Sequence, residues 1–123
     1  MNVDRHDPPR AFSAGAVQLH HCADIELEPD ELVTFTTASG TAFDVTRKGW
    51  GYYATPSLNG RLVEHGLRSA LVVNPAGRLY VLLVEAGHED EFTAYLARES
   101  MRVVAWLDSD DAAAEAVRRL EAP

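Results

Sequence analysis

Two apolar runs joined by a turn signal constrain this chain most: Leu67 to Val73, then Asn74-Pro75-Ala76-Gly77, then Arg78 to Glu85. Proline and glycine stand where a type I turn needs them, so the two runs read as a β-hairpin. Both runs are apolar on both faces, with Leu71, Val72 and Val73 in one and Leu79 through Val84 in the other. Strands of that kind sit centrally in a sheet that is covered on both sides. A chain of 123 residues fits one domain with one such core rather than two independent ones.

An earlier segment reads as a second hairpin. Val33 and Phe35 alternate with Thr34 and Thr36, and Phe43 and Val45 alternate with Asp44 and Thr46. A two-residue loop at Ser39-Gly40 would set Phe35 against Asp44. A three-residue loop, Ala38-Ser39-Gly40, sets Phe35 against Phe43 and puts Gly40 at the left-handed position, so the longer loop is expected. After Glu85 the pattern turns helical. Phe92, Tyr95, Leu96 and Glu99 share a face behind an acidic start, as the helix dipole favours. Met101 to Leu107 reads as a short strand. Asp108-Ser109-Asp110 caps a last helix with the stripe Ala113, Ala116, Val117 and Leu120. Strand, helix, strand implies a right-handed crossover that lays Met101–Leu107 parallel to Leu79–Glu85. The expected fold is α+β: a mostly antiparallel sheet of two hairpins, one parallel strand reached by a helical crossover, and two C-terminal helices. Met1 to about Ala16 lacks sustained periodicity and is expected as a mobile tail, leaving residues 17–123 as one domain.

Charge removes several function classes. Eleven Lys+Arg against nineteen Asp+Glu give a net charge of −8, unsuited to a nucleic-acid binder or a basic membrane-surface protein. The apolar runs are under ten residues, too short to span a bilayer. No apolar stretch follows the start, so no signal peptide is expected, and the single Cys22 can form no intrachain disulfide. A cytoplasmic protein is expected, and its arginine and alanine bias fits a GC-rich bacterial genome.

The candidate site is Arg47–Leu62, RKGWGYYATPSLNGRL. Trp50, Tyr52 and Tyr53 provide stacking surfaces, with Trp50 and Tyr52 on one strand face and Tyr53 on the other. Ser57, Asn59 and Arg61 supply a hydroxyl, an amide and a guanidinium within five residues, and Arg68 follows. Stacking with forked donors suits a sugar-like or anionic ligand. The same residues also suit the packing of a sheet corner.

WGYYATPSLNGRL, with GLRSALVVNPAGRLYVLLVEAG after it and VVAWLD closing it, resembles a family of small, largely uncharacterised bacterial proteins. The resemblance spans roughly Cys22 to Asp108. It implies an ancillary role beside surface-sugar or natural-product biosynthesis and assigns no functional residue.

Other chemistry is less supported. On a strand His20, Cys22 and Asp24 share a face, but over about 13 Å, too spread for one small ion; folded as a turn they could converge. No second Cys or His pair stands at zinc-site spacing, so no metal and no cofactor are expected. Glu85, His88, Glu89 and Glu91 could do acid–base work, yet helix capping explains them as well. Cys22 beside two histidines makes a poor nucleophile–base pair. No phosphate-binding glycine motif occurs, and the lone Lys48 lacks the carboxylate cluster a nuclease requires. Trp106 beside Asp108 reads as a core aromatic next to a cap. The expected function is an ancillary binding protein for a small molecule or a partner, possible as a homodimer through its exposed aromatics. One alternative is a cofactor-independent enzyme in which Arg61 and Arg68 hold an anion while His65 or a tyrosine moves the proton. Another is a protein–protein adaptor using the edge of the Glu31–Arg47 hairpin.

Overall fold

A computed structural model describes residues 1–123. Eight strands and three helices run in the order β1 (Asn2–Ala14), β2 (Val17–Glu26), β3 (Leu32–Thr36), β4 (Ala42–Lys48), β5 (Gly51–Tyr53), α1 (Arg61–Glu64), β6 (Leu67–Val73), β7 (Leu79–Glu85), α2 (Glu89–Arg98), β8 (Arg102–Trp106) and α3 (Asp110–Glu121). The strands form three sheets, β1-β2, β3-β4-β5 and β7-β6-β8. No helix is long and apolar enough to cross a membrane. The chain divides into two compact units, Met1–Val33 with Thr46–Tyr53, and Thr34–Val45 with Ala54–Pro123.

In the first unit β1 and β2 pair antiparallel from Asn2↔Glu26 to Ala14↔Val17. The register shifts midway: Arg5 pairs with Ala23 and Arg10 with His21, so His6, Asp7, Pro8 and Pro9 stand opposite Cys22. Residues expected as a tail therefore form a strand here. Its pattern is concealed because both faces are largely exposed, which removes the apolar alternation, and because two prolines interrupt it. Proline is tolerated in a two-stranded ribbon, where each strand has a free edge. The Met1 ammonium pairs with Glu31 at 3.0 Å, and Lys48 with Asp30 at 2.7 Å.

The second unit is organised on β6. Ala70 and Val72 are fully buried on one face of β6, where Leu96 of α2 joins them. Leu82, Phe92, Met101, Val103 and Trp106 pack around that cluster, and Phe92 meets Trp106 edge-on with centroids 5.8 Å apart. The helix α1 packs against β6 and buries Leu62 completely. The expected loop at Ala38-Ser39-Gly40 is present: the Thr37 amide donates to the Thr41 carbonyl at 3.1 Å, and Gly40 has φ +96°. Phe35 and Phe43 accordingly stack with centroids 5.2 Å apart.

The expected fold class is overturned at β8. That strand pairs antiparallel with β6, through Ala70↔Trp106, Leu71↔Ala105, Val72↔Val103 and Val73↔Arg102, and no parallel pair exists. Because β6 is also antiparallel to β7, β7 and β8 run in the same direction with β6 between them. The α2 crossover thus carries the chain past its neighbour, so a direction compatible with parallel pairing ends in an antiparallel ladder. A four-residue α1 also joins the two expected helices. The strand β7 lies at a sheet edge instead of the centre, and Leu79 is 63% exposed.

Candidate functional site

The residues of the expected site fall in both units. Tyr52 and Tyr53 are consecutive in β5, so they face opposite ways, and Trp50 lies in the turn before it. The alternation expected to align Trp50 with Tyr52 does not reach that turn. All three rings are exposed, Trp50 most at 74%. The Arg47 guanidinium lies 5.6 Å from the Tyr52 ring centroid and donates to the Gly51 carbonyl at 3.1 Å.

The polar half of the expected site is engaged within the second unit. The Ser57 hydroxyl accepts from the Arg61 amide at 2.8 Å, which anchors the start of α1. Asn59 donates to Asp110 at 3.0 Å. The Arg61 guanidinium meets Asp44 at 2.9 Å, and Thr34 donates to the same Asp44 at 2.7 Å. Those two contacts, the threonine's foremost, hold the Asp44 carboxyl below its usual range. Arg68 donates to Asp108 at 2.6 Å and lies 4.1 Å from the Trp106 ring centroid, with Glu89 3.7 Å away. Both arginines already have carboxylate partners, so neither is a ready-made anion receptor.

A different constellation lines a groove of about 550 Å³ between β7 and α2. Its centre is His88, whose Nε2 lies 3.5 Å from Glu85 and whose Nδ1 lies 3.1 Å from Glu91. Phe92, Tyr95 and Arg98 continue the wall. On its far side Glu85 accepts from the hydroxyls of Thr41 at 2.8 Å and Ser39 at 3.1 Å. Thr37 completes that group, 2.6 Å from Thr41. The hydroxyls of Thr37, Thr41 and Ser39, with His88 beside them, hold the Glu85 carboxyl below its ordinary range. An ionised Glu85 is thereby available to orient the imidazole.

No known protein family, curated protein or solved structure matches this chain. The groove must therefore be read from its own chemistry.

The four residues singled out around the start of α2 divide into two kinds. Glu89 is held locally: its carboxylate accepts from the Gly87 amide just ahead of α2 at 3.0 Å, which lowers its proton affinity, and no side chain caps the helix. Glu85, His88 and Glu91 form the chain across the groove. Tyr95 and Arg98 join them from α2, because helical spacing from His88 places Glu91, Phe92, Tyr95 and Arg98 along one face. Ser39 and Thr41 carried no such signal, because they reach Glu85 from 46 and 44 residues away. His65 stands at the C-terminal end of α1.

Proposed function

We propose that this protein is an ancillary small-molecule-binding protein of a bacterial biosynthetic pathway, and that the groove between β7 and α2 is its ligand site. The observation that carries the reading is the Glu85–His88–Glu91 chain in a recess of about 550 Å³ that Phe92, Tyr95 and Arg98 also line. Carboxylates accept from ligand hydroxyls, the aromatic residues offer apolar faces, and Arg98 can meet an anionic substituent. That combination fits a sugar-like molecule bearing a negative group. The role in biosynthesis rests on the resemblance of the Trp50–Leu62 segment.

Thermal-shift screening against nucleotide sugars, sugar phosphates and small carboxylates tests it, because a ligand selective for the native state raises the midpoint. A shift is expected that disappears in Arg98→Ala and His88→Ala and persists in Arg61→Ala. A shift abolished by Arg61→Ala or Trp50→Ala instead would return the site to the Trp50–Arg68 segment. The absence of any shift would remove the reading.

One observation favours a second reading, a cofactor-independent enzyme. Both nitrogens of His88 face carboxylates, an arrangement that fixes the ring and supports proton transfer. An activity that survives His88→Ala would discard it.

A further inference from the structure

We propose that the β1–β2 hairpin carries a site for one divalent transition-metal ion of the zinc class, held by His6, His21 and Asp24. One ligand atom from each of these residues lies within 4.8 Å of the others. The His6 Nε2 stands 2.8 Å from one Asp24 oxygen, and the His21 Nε2 stands 3.2 Å from the other. Zinc bonds to nitrogen and oxygen of about 2.0–2.2 Å set tetrahedral ligand atoms roughly 3.3 Å apart, so a small opening of the cluster admits the ion. Two imidazoles and a carboxylate suit zinc, cobalt, nickel or copper better than magnesium or calcium. Three protein ligands would leave a position for water or an exogenous ligand.

The set forms because the ladder is irregular. In a regular strand His21 and Asp24, three residues apart, face opposite ways. The register shift that sets His6–Pro9 against Cys22 bends the ribbon there and brings His6 to both of them. His20 pairs instead with Ala11, and the Cys22 sulfur lies against the His20 carbonyl at 3.4 Å. Asp24 is thus a ligand candidate, but its partners are not the strand-face neighbours that period two suggests.

Two further observations point to a cation. Asp4 lies directly across the ladder from Asp24, a like-charge pairing that costs stability, and both carboxylates border a recess with Glu26. The second is a conflict at His6. Its Nε2 is 2.8 Å from the Asp24 carboxylate and also 2.8 Å from the Arg10 guanidinium. With a proton on that nitrogen, donor meets donor at Arg10; without it, acceptor meets acceptor at Asp24. A metal ion resolves the conflict by taking the nitrogen lone pair and the carboxylate together. Arg10 is 63% exposed and can withdraw into solvent.

The test is a titration of the full chain, free of any affinity tag and stripped with chelator, using zinc(II) by calorimetry and cobalt(II) by visible absorption. One ion per chain is expected, with cobalt d–d bands and no thiolate charge-transfer band. His6→Ala, His21→Ala and Asp24→Asn should each weaken zinc binding by at least about tenfold, since even outer-sphere partners of metal ligands are worth that much. His20→Ala and Cys22→Ser should leave it unchanged, and Arg10→Met should leave it equal or tighter because a competing positive charge is gone. Circular dichroism of each variant separates lost ligands from lost fold, and near-isosteric Asp24→Asn serves if a histidine variant unfolds. Failure to bind either metal overturns the proposal. So does zinc binding that survives all three ligand substitutions, or that depends on Cys22 or His20.

Discussion

At the scale of single residues, several side chains are held by geometry that no local pattern announces. A Cβ added at Gly60 would lie 2.6 Å from the Ser57 hydroxyl, the same oxygen that accepts from the Arg61 amide. Gly60→Ala must push that hydroxyl aside, and a loss of about 0.5–1.5 kcal/mol is expected by chemical denaturation, the worth of one hydrogen bond. Glu85 offers a test without any stability measurement. Thr41→Val removes one of its donors, so the Glu85 carboxyl should titrate higher, towards the ordinary glutamate range, in an NMR titration. An unchanged titration would mean that the Thr37–Thr41–Ser39 hydroxyl group does not reach the carboxylate in solution. This cluster was illegible in the sequence because threonines in a hairpin look like ordinary strand residues, and Glu85 is remote from them along the chain.

At the scale of elements, burial separates α2 from α3. Leu96 of α2 is 7% exposed and touches Ala70 and Val72 of β6. Leu96→Ala should cost roughly 2–5 kcal/mol, as truncating a core leucine does, and should loosen the groove wall that α2 supplies. In α3 the stripe anticipated from spacing is present, yet Leu120 is 85% exposed. What holds the start of α3 is its cap, where the Ser109 hydroxyl accepts from the Ala112 amide at 3.1 Å. Ser109→Ala should therefore cost about 1 kcal/mol in a urea titration, and Leu120→Ser much less. Spacing tells which residues share a helix face. It does not tell whether another element arrives to cover that face.

At the scale of the whole molecule, acidic groups dominate, and their environments give stability a definite pH dependence. The His6 ring lies against Asp24, while the Glu28 amide donates to Glu31, Thr34 to Asp44, the Gly87 amide to Glu89 and Arg118 to Glu115, and each contact draws its carboxyl below the ordinary range. A carboxyl with a lower folded than unfolded pKa stabilises the fold above the unfolded value, and that contribution disappears as pH falls through the folded one. Urea midpoints should hold near neutrality and fall progressively below about pH 4, the ordinary carboxylate range. A midpoint constant down to about pH 3 would contradict these contacts. The sequence by itself determined the β3–β4 and β6–β7 hairpins, the loop at Gly40, the helical runs after Gly87 and the cap at Ser109, because turns, caps and apolar periodicity act over a few residues. Only the tertiary structure decided that β8 joins β6 antiparallel, since a crossover helix constrains strand direction but not which edge is free. The same holds for the convergence of His6 on His21 and Asp24, and of Ser39 and Thr41 on Glu85. Those contacts come from ladder register and from strand neighbours far apart in the chain, and neither follows from local spacing.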